Sequence, residues 1–189
     1  MRRVFRFWVG LLLGSLLVAS CCANDSCDCK DSRADALYFR FRIGADSLTG
    51  LDFGRSEVDT IYLLRYPLPL TLPNSGAHDS VALLPADTTR RSNLTGTTFF
   101  LNNNGPFALA TGRKVNSYEY VILVGDRKRQ QFRRYIVNNI SLKGKFEGDG
   151  CCTCYVNSGK SATVNSATRD STYTLTEMPG QRPIIELTK

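Results

Sequence analysis

The chain has 189 residues, of which 24 are Lys or Arg and 17 are Asp or Glu, and its formal net charge is +7. Three of the arginines lie among the first six residues, and the rest of the chain has 21 basic and 17 acidic residues, a net charge of +4. A charge of that size is ordinary for a folded domain, so we expect no nucleic-acid partner.

The first 20 residues have the composition of an export signal. Three arginines and no acidic residue precede an apolar stretch over residues 7–19. This stretch is shorter than the roughly 20 residues that a membrane-spanning helix needs, and its charged start is typical of a secretory signal peptide. We predict that residues 1–20 are removed and that the remaining 169 residues act outside the cytoplasm.

The end of this segment reads Leu17-Val18-Ala19-Ser20-Cys21. An aliphatic residue, two small residues and then a cysteine resemble the lipobox of bacterial lipoproteins. The resemblance implies that the chain is cut before Cys21 and that Cys21 carries acyl chains such as palmitate. The protein would then be anchored to a bacterial membrane, with the outer membrane favoured, at its periplasmic or surface side. The alternative is an ordinary signal peptide cut near Ala23, which would release the protein.

Acylation of Cys21 would leave six cysteines in two groups at opposite ends of the mature chain: Cys22, Cys27, Cys29, Cys151, Cys152 and Cys154. An even number of cysteines in an exported chain favours disulfides. Side chains alternate along an extended chain, so each Cys-x-Cys pair presents two sulfurs on one face. We predict disulfides that join the two groups. Zinc bound by four thiolates and a redox-active pair are the alternatives.

The mature chain consists of short apolar segments with a two-residue alternation, separated by turn-forming residues. We predict strands over residues 37–43, 58–64, 81–84, 97–101, 118–124, 132–146, 152–156, 162–164 and 173–176, and residues 107–110 and 184–187 are candidates for further short strands. Prolines at positions 67, 69 and 73 favour an edge position for the second segment. Loss of alternation near Asn138-Asn139 predicts a β-bulge.

Eight to ten short strands without a long helical period predict an all-β domain. We favour a single β-sandwich over residues 36–189, of immunoglobulin-like or similar Greek-key type. A short tether that carries the lipid and the first cysteines, residues 21–35, would precede it. The strand order is left open.

No residue pattern selects a catalytic site. His78 is the only histidine, and its turn-rich surroundings favour an exposed loop residue over a member of a catalytic triad. No spacing selects two carboxylates that could face each other across a sugar. The scattered acidic residues are Asp46, Asp52, Glu57, Asp59, Asp79, Asp87, Glu119 and Glu147. We expect no cofactor and no bound metal.

The densest positive charge follows the segment 118–124 and comprises Arg127, Lys128, Arg129, Arg133 and Arg134. We call these five residues the basic segment. A solvated loop between two strands is the favoured interpretation. The functional alternative is contact with anionic lipid headgroups or a polyanionic glycan.

These observations favour a membrane-anchored envelope lipoprotein without enzymatic activity. It would bind a glycan, a protein partner or other envelope material. The alternative is a hydrolase of envelope polymers whose site is formed by loops of the sandwich, because sites of that kind leave no local motif.

Overall fold

The computed structural model describes residues 27, 29, 33–44, 50–54, 57–70, 79–83, 98–109, 112–126, 130–149, 151–177 and 181–189. Within these ranges the elements with complete bounds are a short 3-10 helix, Val115–Ser117, and nine strands. The strands are β1 (Leu37–Phe41), β2 (Thr60–Pro67), β3 (Asp79–Leu83), β4 (Phe99–Leu101), β5 (Tyr118–Asp126), β6 (Gln131–Asp149), β7 (Cys152–Ser166), β8 (Asp170–Thr176) and β9 (Ile184–Leu187). No helix in the described part of the chain is long and apolar enough to cross a membrane.

The strands form two sheets. In the smaller sheet β1 lies between β4, which is antiparallel to it, and β9, which is parallel to it. The larger sheet has the order β3-β2-β5-β6-β7-β8, and all its pairs are antiparallel. Four consecutive strands, β5 to β8, lie side by side as a meander. The prediction of a single all-β sandwich is confirmed.

The core lies between the inner faces of the two sheets. Leu37, Phe39 and Phe41 alternate along β1 and are buried, as their spacing predicts. The Phe41 ring lies 6.5 Å from the ring of Tyr135 in β6. The Tyr135 hydroxyl donates a hydrogen bond of 2.6 Å to the Thr188 carbonyl, and burial raises its pKa. Full burial of an apolar side chain such as Leu37 or Phe39 stabilises the fold by about 1.5–3 kcal/mol.

The predicted bulge in β6 is confirmed and has a structural role. The pairing with β7 shifts between Asn138 and Ser141, and Asn139 has a φ of 49°. An extra residue moves every later side chain to the opposite face of a strand. Before the bulge, Tyr135 and Val137 face the core from odd-numbered positions. After it, Ile140 and Leu142 pack against the core from even-numbered positions.

Three strand predictions are wrong. β2 is not an edge strand, since it pairs with both β3 and β5; its proline, Pro67, is its last residue, where the ladder ends. Segments 152–156 and 162–164 are parts of one strand, because the turn-forming residues between them lie in a second register shift opposite Lys143 and Gly144. Residues 107–109 form no strand; Phe107 reaches the core from a loop.

Candidate functional site

The β6–β7 hairpin extends beyond the strands on either side of it. β5 pairs with β6 only as far as Val137, and β8 pairs with β7 only from Gly159. Residues 144–149 therefore pair with residues 152–157 and with no other named strand in the described ranges. We call residues 143–149 and 151–157 the arm. An isolated two-stranded hairpin is only marginally stable in water, so the arm needs other support.

Two disulfides supply part of that support. Cys27 is bonded to Cys152 and Cys29 to Cys154, with Cα–Cα distances of 5.5 and 5.3 Å and a sequence separation of 125 residues in each case. The predicted bonding between the two cysteine groups is confirmed for these four residues. Zinc ligation by the same four sulfurs does not apply, because they are bonded in pairs.

The other cysteines are described only in part. Cys151 is disulfide-bonded as well, whereas Cys21 and Cys22 lie outside the described residues. No group of three or more residues that could hold a metal ion occurs among the residues the structure describes.

A buried polar cluster joins the N-terminal segment to the base of the arm. Asp35 is only 3% exposed. Its carboxylate accepts hydrogen bonds from the Tyr155 hydroxyl at 2.9 Å and from Asn157 Nδ2 at 2.8 Å. Lys114 Nζ lies 3.5 Å from the carboxylate and 4.2 Å from the centre of the Tyr155 ring. Hydrogen bonding to Tyr155 and the charge of Asp35 raise the pKa of Lys114, although partial desolvation opposes them.

Lys160 makes a second connection to the same segment. Its buried ammonium donates hydrogen bonds to the carbonyls of Ala34, at 3.0 Å, and Ala36, at 2.7 Å, and it forms an ion pair with Glu177. We call Asp35, Lys114, Tyr155, Asn157 and Lys160 the junction. Its buried groups bond to one another and to the main chain, which is typical of a structural network.

Sequence analysis missed the junction and assigned Asp35 to the tether. Asp35 is instead part of the packed domain. The sequence contains one signal for the burial of Lys160, because Lys160 has the same alternation phase as the buried Ala162 and Val164. No local signal marks Asp35, since its partners Tyr155 and Asn157 lie about 120 residues away in the chain.

The basic segment is not one patch in its described part. Arg133 and Arg134 belong to β6, where they pair with Val124 and Leu123 and are exposed. As neighbours in a strand they lie on opposite faces of the sheet. Residues 127–129 lie outside the described residues, as does His78.

Most of the described acidic candidates contact a cation. Asp52 pairs with Arg42, Glu57 with Lys189, Asp79 with Arg65 and Glu147 with Lys145. Glu119 accepts a hydrogen bond from Asn138. Asp46 and Asp87 lie outside the described residues. Such pairing is typical of structural ion pairs rather than of acid and base catalysts.

Arg65 is the most buried of these cations. Its guanidinium donates to Asp79 at 2.8 Å and to the Leu109 carbonyl at 2.6 Å. The rings of Phe107 and Tyr118 lie 4.6 and 5.0 Å from the guanidinium carbon. Arg65 therefore fixes the loop that carries Phe107 and Leu109 to β2.

The outer face of the larger sheet carries an apolar surface. It faces away from the core, since its residues alternate with the buried Ile61, Leu63, Ile122 and Tyr135. We call Tyr62, Leu64, Leu123, Phe132 and Ile136 the outer patch; Phe132 is exposed and the other four are half-buried. Leu64 and Ile136 both lie opposite the buried Val121, and Tyr62 lies opposite Leu123. The rings of Tyr62 and Phe132 meet edge to face at 5.6 Å.

An apolar outer face is unusual for an antiparallel sheet, whose second face commonly meets water and is polar. Sequence analysis missed this surface. The continuous apolar runs at residues 61–64 and 121–124 are the signal that could have revealed it, because a strand with one wet face alternates instead.

A shallow cleft lies between the sheets among the described residues. Its space, about 260 Å³ including the open side, is lined by Tyr135, Arg169, Tyr173, Glu186 and their neighbours. Because that space includes open solvent, the enclosed part is far smaller than the roughly 300–1,000 Å³ of ordinary ligand pockets. The cleft is therefore too small to enclose a substrate.

Comparison of the chain with protein-family models, curated proteins and solved structures finds no match. The described residues present a partly exposed apolar face on the larger sheet and an N-terminal segment that is attached by two disulfides. Chemically, this arrangement is suited to attachment and binding.

Proposed function

We propose that the protein is a bacterial envelope lipoprotein, anchored through Cys21, that binds an envelope protein with its outer patch. In this proposal the protein acts by binding alone and catalyses no reaction. The observation that carries the proposal is the outer patch, an apolar and aromatic surface on the side of the sheet that normally faces water.

The anchor is supported by the first residues and by the disulfides. Residues 17–21 resemble a lipobox, and disulfides persist in oxidising compartments outside the cytoplasm. A single acyl chain binds a membrane only marginally, so stable anchoring implies more than one chain on Cys21. The wild type should incorporate labelled fatty acid and partition into detergent, and Cys21→Ser should lose both properties.

The cysteine count gives a sharper test of the anchor. If Cys21 is acylated, we expect Cys151 to be joined to Cys22. Mass mapping of the non-reduced protein should then find these two residues in linked peptides and acyl mass on Cys21. A bond between Cys151 and Cys21 would leave no thiol for the lipid and would contradict the anchor.

A protein partner is favoured by the composition of the outer patch. Protein interfaces are enriched in Tyr, Phe and Arg, with an apolar centre and a polar rim. Tyr62 and Phe132 supply aromatic rings, and Leu64, Leu123 and Ile136 supply aliphatic area. Arg134 is exposed, lies opposite Leu123 and stands between Phe132 and Ile136 on the same face of β6, so the patch also contains an arginine.

Site-specific cross-linking in intact cells tests this function. A photoreactive residue at position 62 should give one discrete cross-linked protein. Position 174 is the matched control, because it is exposed on the outer face of the same sheet, in β8. The product at position 62 should disappear when Leu123→Arg places a charge inside the patch.

Three results would contradict the proposal. The same product from position 174 would show contact that is not specific for the patch. No product from position 62 in a correctly anchored protein would reject binding by the patch. A product whose added mass is carbohydrate would replace the protein partner by a glycan.

A further inference from the structure

The side chains of β6 and β7 that face the core form a row, and this row continues onto the same face of the arm. Phe146 lies on this face, as shown by its ring contact with Tyr155 at 5.5 Å, and Tyr155 in turn contacts the buried Asp35. The smaller sheet does not cover this end of the row. Phe146 is 72% exposed, more than any other large apolar side chain in the described ranges.

The disulfides place the predicted anchor beside the tip of the arm. β6 ends at Asp149 and β7 begins at Cys152, which is the residue bonded to Cys27. Five residues separate Cys21 from Cys27, so the two can be at most about 20 Å apart. Phe146 is three residues from Asp149, or about 10 Å along the strand. An acylated Cys21 therefore lies within about 35 Å of Phe146, so the arm can reach the bilayer surface.

We propose that the arm is a membrane-contacting foot, with Phe146 inserted into the lipid interface. This inference rests on the proposed acyl anchor at Cys21. An exposed aromatic side chain close to a lipid anchor gains free energy by entering the boundary between headgroups and acyl chains. Residues 143–149 contain two lysines and two acidic residues, so the contact does not depend on anionic lipid.

The position of the foot also determines how far the outer patch lies from the membrane. Phe132 and Ile136 lie in the first part of β6, whereas the arm is its last part. Arg134 is fifteen residues from Asp149, which corresponds to about 45 Å along a bulged strand. The arm stands on the bilayer and the outer patch is held away from it, where an envelope protein can reach it.

The foot can be tested with one tryptophan. The only tryptophan of the chain, Trp8, belongs to the predicted signal peptide, so Phe146→Trp gives the processed lipoprotein a single reporter. Phe132→Trp is the matched control, since Phe132 is also an exposed phenylalanine of β6, 37% exposed. Each full lipoprotein is reconstituted into phosphatidylcholine vesicles with brominated acyl chains. On reconstitution, we expect the fluorescence of a tryptophan at position 146 to shift to the blue and to be quenched by the bromine atoms. The fluorescence of a tryptophan at position 132 should remain unquenched.

The outcomes separate the foot from the anchor. If the acyl mass is present and the protein floats with the vesicles, an unquenched tryptophan at position 146 overturns the foot and leaves the anchor intact. Equal quenching at both positions overturns the upright arrangement. A blue shift at position 146 that grows with protein concentration but lacks bromine quenching would assign Phe146 to contact between copies. A protein without acyl mass overturns the anchor and the foot together.

Discussion

The two ends of the β6–β7 hairpin are held in place by different forces. At the base, β5 and β8 pair with its two strands, and Tyr135, Val137, Ala162 and Val164 are buried in the core. At the arm no named strand of the described part lies alongside, and the supports are the disulfides of Cys151, Cys152 and Cys154 and the polar junction. The base is therefore stabilised by the hydrophobic effect and the arm by covalent and buried polar bonds.

This difference shows how a hairpin can extend beyond its core. The base buries enough apolar area to offset the entropy of ordering the chain, whereas a free pair of strands does not. The arm compensates by attaching a distant segment of the same chain. Changes at the arm should therefore act through specific bonds, and changes at the basic end of β6 should have little effect.

Removal of all the disulfides of the arm should have the largest effect. In the chain-entropy model the first bond that closes a loop of this length stabilises the fold by about 4–5 kcal/mol, and each further bond adds much less because the first holds the ends together. Since Cys151 is also disulfide-bonded, we expect the variant with Cys→Ser at positions 27, 29, 151, 152 and 154 to lose about that amount in urea unfolding. The control, Cys29→Ser with Cys154→Ser, should lose only a small part; an equal loss in the two variants would contradict the model.

Lys160→Met should have the next largest effect. It removes the donor to the Ala34 and Ala36 carbonyls and the partner of Glu177. Buried groups left without partners destabilise a protein by a few kcal/mol, here about 2–3 kcal/mol because Glu177 can still be hydrated. Urea unfolding gives the loss, and faster hydrogen exchange at residues 34–37 would localise it. Lys145→Met is the control on the exposed side of the arm; if it were equally destabilising, burial would not be the cause.

Gly144→Ala should destabilise the arm to a lesser degree. A Cβ at Gly144 would lie 2.0 Å from the Tyr155 hydroxyl oxygen, so Tyr155 must move and lose its bond to Asp35. We expect a loss of about 1–3 kcal/mol, the usual range for overpacking. Gly148→Ala is a matched control in the same strand, since a Cβ there meets nothing within 4 Å. Thermal unfolding of the two variants should differ clearly, and similar melting temperatures would reject the steric explanation.

Substitution of the basic segment by glutamine should leave membrane association unchanged. Arg133 and Arg134 lie in the first part of β6, at the end of the hairpin opposite the arm, and exposed charges separated by more than about 10 Å from a surface are largely screened at 0.1 M salt. Flotation of the lipoprotein with anionic vesicles measures this. Salt-sensitive binding that disappears in the variant would instead favour headgroup contact and a domain that lies flat on the membrane.

The smallest expected effect on stability is a pH dependence at the edge of the domain. Burial alone would raise the pKa of Glu57, but hydrogen bonds from Lys189 and the Gly54 N–H, together with the charges of Lys189 and Arg133, lower it below 4.5. A carboxyl whose pKa is lowered by folding stabilises the protein above its unfolded pKa, and this stability is lost as the pH falls through the folded pKa. Glu57→Gln should therefore be slightly less stable than the wild type at pH 7 and equal to it in acid. A difference that persists in acid would mean that packing, not charge, is responsible.

The parts of the fold that follow from local pattern could be predicted from the sequence. Alternation at residues 37–43 locates β1, and its loss near Asn139 locates the bulge, because each depends on neighbouring residues alone. The bonding between the cysteine groups follows from parity and compartment. These arguments need no knowledge of which strands are neighbours.

The rest depends on contacts between distant parts of the chain. The continuity of β7 through Asn157, Ser158 and Gly159 is set by its pairing with β6, which overrides their turn preference. The interior position of β2 follows from partners on both sides, and Asp35 is buried because Tyr155 and Asn157 arrive from the other end of the domain. The outer patch likewise depends on which face of the sheet each residue of an apolar run takes, and strand pairing sets those faces.

The two parallel disulfides also determine how the domain responds to force. One bond would let the domain swivel about its attachment, whereas two bonds that are two residues apart resist rotation. A pull on the proposed anchor would reach the arm through the disulfides of residues 151–154 and be directed along β7, so the hydrogen bonds to β6 and β8 would be loaded together in shear instead of being opened one after another. We expect a bound partner that drags the protein through the envelope to pull the lipid out of the bilayer before the sheet opens.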